Sequence, residues 1–417
     1  MSLANETRVI RTSVGSAGGL QSIVSRGSEV HLLRIALATE MRIDRRTAWS
    51  GTIRYMADAL RDAGADLLHL DPVWEWPTLM LGISGKLIRR LTGTDPMLNR
   101  SRTLSQFKAR ALLHRLRQES VDAIFAPVGS TLISEMPRGI PIIYTSDATM
   151  RLMRDYYDRY GSASATAGAR AIASEAAALD RADLLIYPTQ WAAQSAIENY
   201  GVTSDRIMVQ PFGANMSDPP SREEALHPRR DGPVRLLFCG VEWKRKGGDI
   251  ALAAVASLLD AGRVVELTIL GCVPPDGALN DARLRQAVTV IPYLNKTIPA
   301  EREQFRKVFL NADILVLPTK AECFGLVFCE AAACGVVSLA PATGGIPEVI
   351  CNGVTGHVLP ANATGADYAS VIETLCADPD WLNRMKTAAR DDFEQRLNWD
   401  IWAQSVMPRI IDLSRHR

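Results

Sequence analysis

Short apolar runs set between polar turns recur along this chain, and the stretches between them carry apolar residues at helical spacing. Residues 32–38 form the first run, with β-branched content. Ile53, Met56, Ala57 and Leu60 then follow at i, i+3, i+4 and i+7, the buried face of a helix. Ser50 is a plausible N-cap for that helix and Gly64 its end, and residues 67–70 are the next strand. Further strands are predicted at 121–126, 140–144, 184–187 and 207–209, with an Ala-rich helix at 171–181 and another opening at Thr189. After residue 233 the pattern repeats. Strands are expected at 234–240, 265–270, 288–291, 314–317 and 336–339, and helices from Asp249, at 324–333, beyond Ala377 and at 399–413. Alternating strands and helices predict parallel sheets, whose strands are covered on both faces and therefore read as continuous apolar runs.

The domain organisation follows from where this pattern lapses. Residues 1–30 are polar and Gly/Ser-rich without an apolar h-region, and are expected to be a mobile N-terminal tail with no secretory signal. One α/β domain spans 31–215. A Ser/Pro/Asp/Arg-rich linker covers 216–233, a second α/β domain covers 234–395, and a C-terminal helix lies in 396–417.

The stretch 315–360 carries the clearest chemistry. Strand, polar loop, helix and strand make a βαβ unit, whose loop end presents free backbone N–H groups and a positive helix terminus suited to a phosphate. Glu322 lies in the loop and Glu330 inside the helix about two turns on, with Phe324, Gly325 and Leu326 at the helix start between them. A ligand ordered sugar, diphosphate, ribose fits this layout, because carboxylates accept strongly from hydroxyls. A second strand-to-helix loop, 241–248, is rich in cations. Lys246 and Arg245 there can neutralise a diphosphate as its charge grows.

Other features are more open. Gly51 either admits a close backbone approach or is a turn glycine. Asp147, at the end of the 140–144 strand, either hydrogen-bonds a sugar or acceptor hydroxyl or serves as an Asx-turn or cap. Residues 85–118 hold nine Lys/Arg and one acid, Asp95, interleaved with leucines. That segment reads as an amphipathic surface for an anionic membrane or acceptor, or as a solvated helix face.

Composition narrows the classes. With 417 residues, 47% hydrophobic, 22% charged and net charge +1, the chain is ordinary for two globular domains, and no global field points to nucleic acid. Seven cysteines without a CxxC pair or a His partner predict reduced core thiols, no metal site and a cytoplasmic setting. No apolar stretch approaches the roughly 18 residues of a transmembrane helix.

Glu322 and Glu330 with seven residues between them, the following Gly-Gly-Ile-Pro-Glu-Val-Ile and the 352–356 turn resemble the donor site of the retaining family-4 glycosyltransferases of group 1 type. The resemblance implies the GT-B fold, two Rossmann-like parallel-sheet α/β domains facing a central cleft, with the last helix crossing back to the first domain. It implies a metal-independent transferase that moves a sugar from a UDP- or GDP-linked donor, with retention, to a hydroxyl of a glycan, lipid-linked or small-molecule acceptor, without further cofactor. Polysaccharide or glycolipid biosynthesis, in the cytoplasm or peripherally on the inner membrane face, is the implied setting. The implied catalytic set is Glu322, Lys246, Arg245 and Asp147; the donor-binding set is Glu330, Phe324, Gly325, Leu326, Gly51 and Leu294, the last beside the base. The chain departs from the family at Val241, where an arginine is usual, and at the ends of the 121–126 and 140–144 strands, which carry no histidine. Arg245 or Lys244, or one of Arg42, Arg45 and Arg46, is a candidate for the missing charge. The alternatives are a non-catalytic nucleotide-sugar-binding protein or another GT-B enzyme, such as a nucleotide-sugar epimerase.

Overall fold

A computed structural model describes residues 23–26, 29–40, 49–70, 75–157, 160, 163–227 and 232–415. The expected Arg42, Arg45 and Arg46 loop, and residues 1–22 of the expected tail, lie outside the described residues. The chain divides into two units. The first comprises Met1–Pro188, Ala192–Gln210 and Trp399–Arg417, and the second Thr189–Trp191 and Pro211–Asn398.

In the first unit, β1 (Ile23–Arg26) and β2 (Glu29–Leu32) form an antiparallel pair inside the stretch expected as tail. Six further strands make one parallel sheet: β3 (Arg34–Ala38), β4 (Asp66–Leu70), β5 (Ala123–Pro127), β6 (Ile142–Thr145), β7 (Leu184–Tyr187) and β8 (Ile207–Val209). Their order is β4-β3-β5-β6-β7-β8. β5, β6 and β7 are buried at every position, as their unbroken apolar runs require. α1 (Thr52–Asp62) buries the predicted Ile53, Met56, Ala57 and Leu60. Its cap is Gly51, not Ser50: Gly51 holds φ 82°, a conformation costly for any residue with a Cβ. The last helix, Trp399–Arg415, belongs to this unit and packs against α1. Its buried Trp402 lies 6.0 Å from the Phe125 ring of β5.

The basic stretch 85–118 is two helices rather than one face. α2 (Glu75–Thr92) starts well upstream of it, and α3 (Arg102–Leu116) follows a break. The break contains Pro96 and positive φ at Gly93 and Met97, which no continuous helix accommodates. α3 turns its apolar side inward, with Leu104, Leu112 and Leu116 buried. α4 (Met150–Tyr156) and α5 (Ala165–Arg181) complete the helices that bear on the site.

The second unit repeats the architecture with β9 (Val234–Cys239), β10 (Val265–Leu270), β11 (Val288–Ile291), β12 (Ile314–Val316), β13 (Val337–Pro341) and β14 (Gly356–Leu359). All pairings are parallel, in the order β11-β10-β9-β12-β13-β14. α6 (Gly248–Asp260) follows β9, and α7 (Leu326–Ala333) follows β12. The stretch expected as linker contains a helical turn, Arg222–Ala225. Ser221 and Glu224 close a capping box on it, and Arg306 reaches Glu224 at 2.5 Å. In each parallel sheet the first strand in chain order, β3 or β9, lies inside the sheet, and the chain leaves in opposite directions on its two sides. The crevice at the carboxyl ends of those central strands is where open α/β sheets bind ligands. It falls between β3 and β5 in one sheet and between β9 and β12 in the other.

Candidate functional site

The second unit's crevice is built by two loops at backbone contact. The loop after β9 forms a helical turn, Trp243–Lys246, closed by Gly247 at φ 79°. A Cβ on Gly247 would stand 2.0 Å from the Pro318 carbonyl oxygen in the loop after β12, so only glycine allows this approach. The two loops are stitched together further on. The Lys320 N–H donates to the Arg245 carbonyl at 2.7 Å, and the Arg245 guanidinium donates to the Ala321 carbonyl at 2.8 Å. Arg245 also pairs with Glu242 at 2.9 Å. The two cations, read from the sequence as loop residues, thus end a short helical turn.

This stitching brings Lys246 onto Glu322. The ammonium donates directly to Glu322 Oε2, 76 residues along the chain, and the Arg245 guanidinium stands 3.8 Å from the same oxygen. Lys246 is 9% exposed, and Gly240 makes room for it, since a Cβ there would lie 2.8 Å from Lys246 Cγ. Val241, at the family's usual arginine position, is 60% exposed and adds no charge.

α7 begins one turn beyond Glu322. Gly325, at φ 91°, is its N-cap, so the helix starts at Leu326 rather than at Phe324. The Phe324 ring is core, packed edge-on to Phe212 with centroids 5.3 Å apart, so this residue offers a ligand its backbone only. Leu326 is half-buried at the first helical position. The positive end of α7 follows Glu322 directly in the chain, with the Phe328 N–H donating to the Gly325 carbonyl at 2.9 Å.

Inside α7, the buried Glu330 carboxylate is met by Lys296, whose ammonium also donates to the Asn215 carbonyl at 3.3 Å and lies 4.2 Å from the Phe305 ring centre. Burial pushes the Glu330 carboxyl above the ordinary carboxylate range, against the pull of Lys296 and Lys246. Burial and the Glu330 charge together push the Cys239 thiol, at the end of β9, up to about 12. Leu294, half-buried, precedes Asn295. That amide's Oδ1 accepts from Thr297 N and Oγ1, while its buried Nδ2 has no hydrogen-bond partner. Val241, Val273 and Tyr293, all more than half exposed, follow the carboxyl ends of β9, β10 and β11.

The first unit's crevice holds a third carboxylate–lysine pair. Glu40, two residues beyond β3, meets Lys108 at 3.2 Å and also accepts from Thr131, which lies just after β5. Lys108 donates to Thr131 at 2.7 Å and is fully buried. Burial alone would raise the Glu40 carboxyl, but Lys108, Arg100 and Thr131 outweigh it and hold the group below its ordinary value. Arg100 donates to Ser130 at 3.0 Å. Two cations expected on a surface segment are therefore tied into this crevice.

Asp147 is half-buried in the loop after β6. The cap of α4 is Thr149, which accepts from Leu152 N, so Asp147 does not cap that helix. The α4 start is fixed from α5: buried Glu175 accepts from Met150 N at 2.6 Å and from the Tyr200 hydroxyl. Around Gly51 the backbone is open, with nothing within 4 Å of a Cβ built there.

Sequence reasoning brought Glu322, Lys246, Arg245 and the α7 start to one place, and the structure assembles them in the second unit. Asp147 and Gly51 lie in the first. The partnership of Lys296 with Glu330 and the Glu40–Lys108–Thr131 cluster were not foreseen. Their one sequence signal was position: Glu40, Thr131 and Lys296 are polar residues a few places beyond a predicted strand end.

Comparison with known proteins follows the same division. Residues 26–218 match the family described as Glycosyltransferase Family 4, and residues 222–392 match Glycosyl transferases group 1. The D-inositol 3-phosphate glycosyltransferase of Nocardiopsis dassonvillei is 29% identical over 258 residues, 57% of this chain and 59% of that one. Matches to such curated relatives span about half to three fifths of the relatives' length. Among solved structures, the sucrose-phosphate synthase of Thermosynechococcus elongatus superposes with TM-score 0.68 at 18% identity, over 92% of this chain and all of that one. Anabaena HepE, solved in complex with UDP and glucose, gives 0.60 at 16% identity, over 92% of this chain and 100% of that one.

Proposed function

The chain belongs to glycosyltransferase family 4, with the GT-B fold, and we propose that it moves a sugar from a nucleoside diphosphate sugar to an acceptor hydroxyl, with retention and without a metal ion. The observation that carries this reading is the Lys246–Glu322 pair across the β9/β12 crevice, with Glu330 in the helix that follows and Lys296, from the loop after β11, paired to it. A diphosphate competes with Glu322 for the Lys246 ammonium. As it takes that cation, it leaves the carboxylate to accept from sugar hydroxyls.

The charge that grows on the leaving diphosphate is met by Lys246, by Arg245 and by the amides at Gly325 and Leu326. Glu330 accepts from the ribose hydroxyls. The exposed Tyr293 and Val273, with Leu294 and the unpartnered Asn295 Nδ2, suit a base. Asp147 and Gly51 are the first unit's candidates for the acceptor hydroxyl and the phosphates. UDP is the nucleotide named with a solved neighbour, which supports a UDP-linked donor. The relatives' names make a phosphorylated cyclitol one acceptor to test beside glycans and lipid-linked sugars.

The decisive experiment incubates the protein with UDP- and GDP-sugars, with and without acceptor, and measures released nucleoside diphosphate and the anomeric configuration of the product. Acceptor-dependent release with a retained anomer is expected. Tight binding without release would identify a non-catalytic nucleotide-sugar protein, and an inverted product would remove the retaining assignment.

A further inference from the structure

α2 touches the first unit along one narrow edge. Leu81 and Gly85 are half-buried there, and a Cβ on Gly85 would lie 3.9 Å from Pro96. The opposite side is apolar and bare. Trp76, Leu79, Met80, Ile83, Leu87 and Leu91 are between 50% and 78% exposed. At 3.6 residues per turn these six positions fall within one arc of about 120°. Soluble proteins seldom leave such a continuous stripe uncovered.

The charges around the stripe are of one sign. Lys86, Arg89 and Arg90 are exposed on its last two turns, and no Asp or Glu occurs between Trp76 and Thr94. A second copy of this chain would bring the same three cations to the interface again, with no carboxylate from this segment to meet them. An anionic lipid surface offers an apolar layer for the stripe and negative headgroups for the cations. Trp76, at the opposite end of the helix, is a residue type enriched at the water–lipid boundary. No described helix is long and apolar enough to cross a membrane, so α2 would lie in the interface plane.

We propose that α2 docks this protein onto an anionic lipid bilayer, the apolar stripe entering the headgroup–acyl boundary and Lys86, Arg89 and Arg90 resting on the headgroups. The docking helix lies largely upstream of the basic segment singled out in the sequence, and α3 takes no part through its buried apolar side. The proposal does not depend on the glycosyl-transfer reading.

The test is sedimentation of the full-length protein with vesicles of phosphatidylcholine alone and of an equal phosphatidylcholine–phosphatidylglycerol mixture. Wild type is expected to pellet with the anionic vesicles at low salt and progressively less as salt rises. Ile83→Glu/Leu87→Glu should weaken that binding about tenfold or more. Arg89→Glu/Arg90→Glu should abolish the preference for anionic vesicles. All four side chains are exposed, so thermal melts of both variants should match wild type. The proposal is overturned if wild type stays in the supernatant with anionic vesicles at low salt, or if Ile83→Glu/Leu87→Glu pellets like wild type. It is also overturned if light scattering shows a lipid-free dimer that the Ile83→Glu/Leu87→Glu substitutions split, which would assign the stripe to a second copy.

Discussion

The Lys296 ammonium donates to the buried Glu330 carboxylate, binding a β11-side loop to the interior of α7. Glu330 is 5% exposed, and without a counter-charge its ionised form would be poorly tolerated there. On the proposed reading, Lys296 keeps a strong acceptor available for nucleotide hydroxyls. Glu330→Ala should weaken nucleotide binding by about 1.5–3 kcal/mol, the range for a charged hydrogen bond. Lys296→Met should also weaken it, and with a distinct signature. Loss of the cation moves the Glu330 carboxyl still higher, so the variant's affinity should fall as pH is lowered more steeply than that of wild type. Calorimetry across pH checks both, and pH-independent, wild-type affinity in Lys296→Met would remove the role assigned to this pair.

Lys246→Ala should lower kcat/KM by about 10²-fold or more, as for other losses of transition-state charge stabilisation. Arg245 cannot replace it readily, because its guanidinium is engaged by Ala321 and Glu242. Near-wild-type turnover would place the diphosphate elsewhere.

Glu322→Gln should slow the reaction through poorer sugar orientation and leave the shape of the pH–rate profile unchanged, while nucleotide affinity holds or rises because the carboxylate that competes for Lys246 is neutralised. A positioning carboxylate loses only hydrogen-bond strength on becoming an amide. Loss of a profile limb assignable to a single carboxylate would make Glu322 the proton-transferring base.

The Glu40–Lys108 pair should appear in stability. Lys108→Met leaves the Glu40 carboxylate without its cation and should cost about 3 kcal/mol in urea unfolding. The sign of the pH effect follows from the direction of the shift. Glu40 is held below its unfolded value, so its contribution is present above the ordinary glutamate pKa, about 4.3, and is lost as pH falls through the folded one. Lys108→Met should therefore show a smaller stability difference between neutral and acid pH than wild type. Parallel pH–stability curves would show that the pair is energetically idle.

Much of this protein could be read from its sequence because the relevant forces act over a few residues. Runs such as 184–187 and 265–270 had to be strands, and they are β7 and β10 with those bounds; β7 is buried at every position, whereas β10 leaves Glu266 exposed. Spacing put Ile53, Met56, Ala57 and Leu60 on the buried side of α1. Glu322 and Glu330 fell on either side of a helix start because one loop and one helix separate them in the chain. Where local reasoning failed, the competing feature was also local but weaker. Gly51 displaced Ser50 as the cap, and the Ser221–Glu224 capping box folded part of a presumed linker.

What only the tertiary structure decided was partnership and exposure. Lys246 and Glu322 are 76 residues apart, Lys108 and Glu40 are 68, and Lys296 and Glu330 are 34. Each pair depends on strand order, which brings non-consecutive strands such as β9 and β12, or β3 and β5, side by side. No sequence periodicity distinguishes Lys108, buried against Glu40, from Arg90, exposed on α2. Likewise the apolar residues of α2 and α3 are alike in kind. The α3 leucines found a core, while the α2 stripe found solvent. Periodicity states which residues share a face; what that face meets is set by packing between elements far apart in the chain.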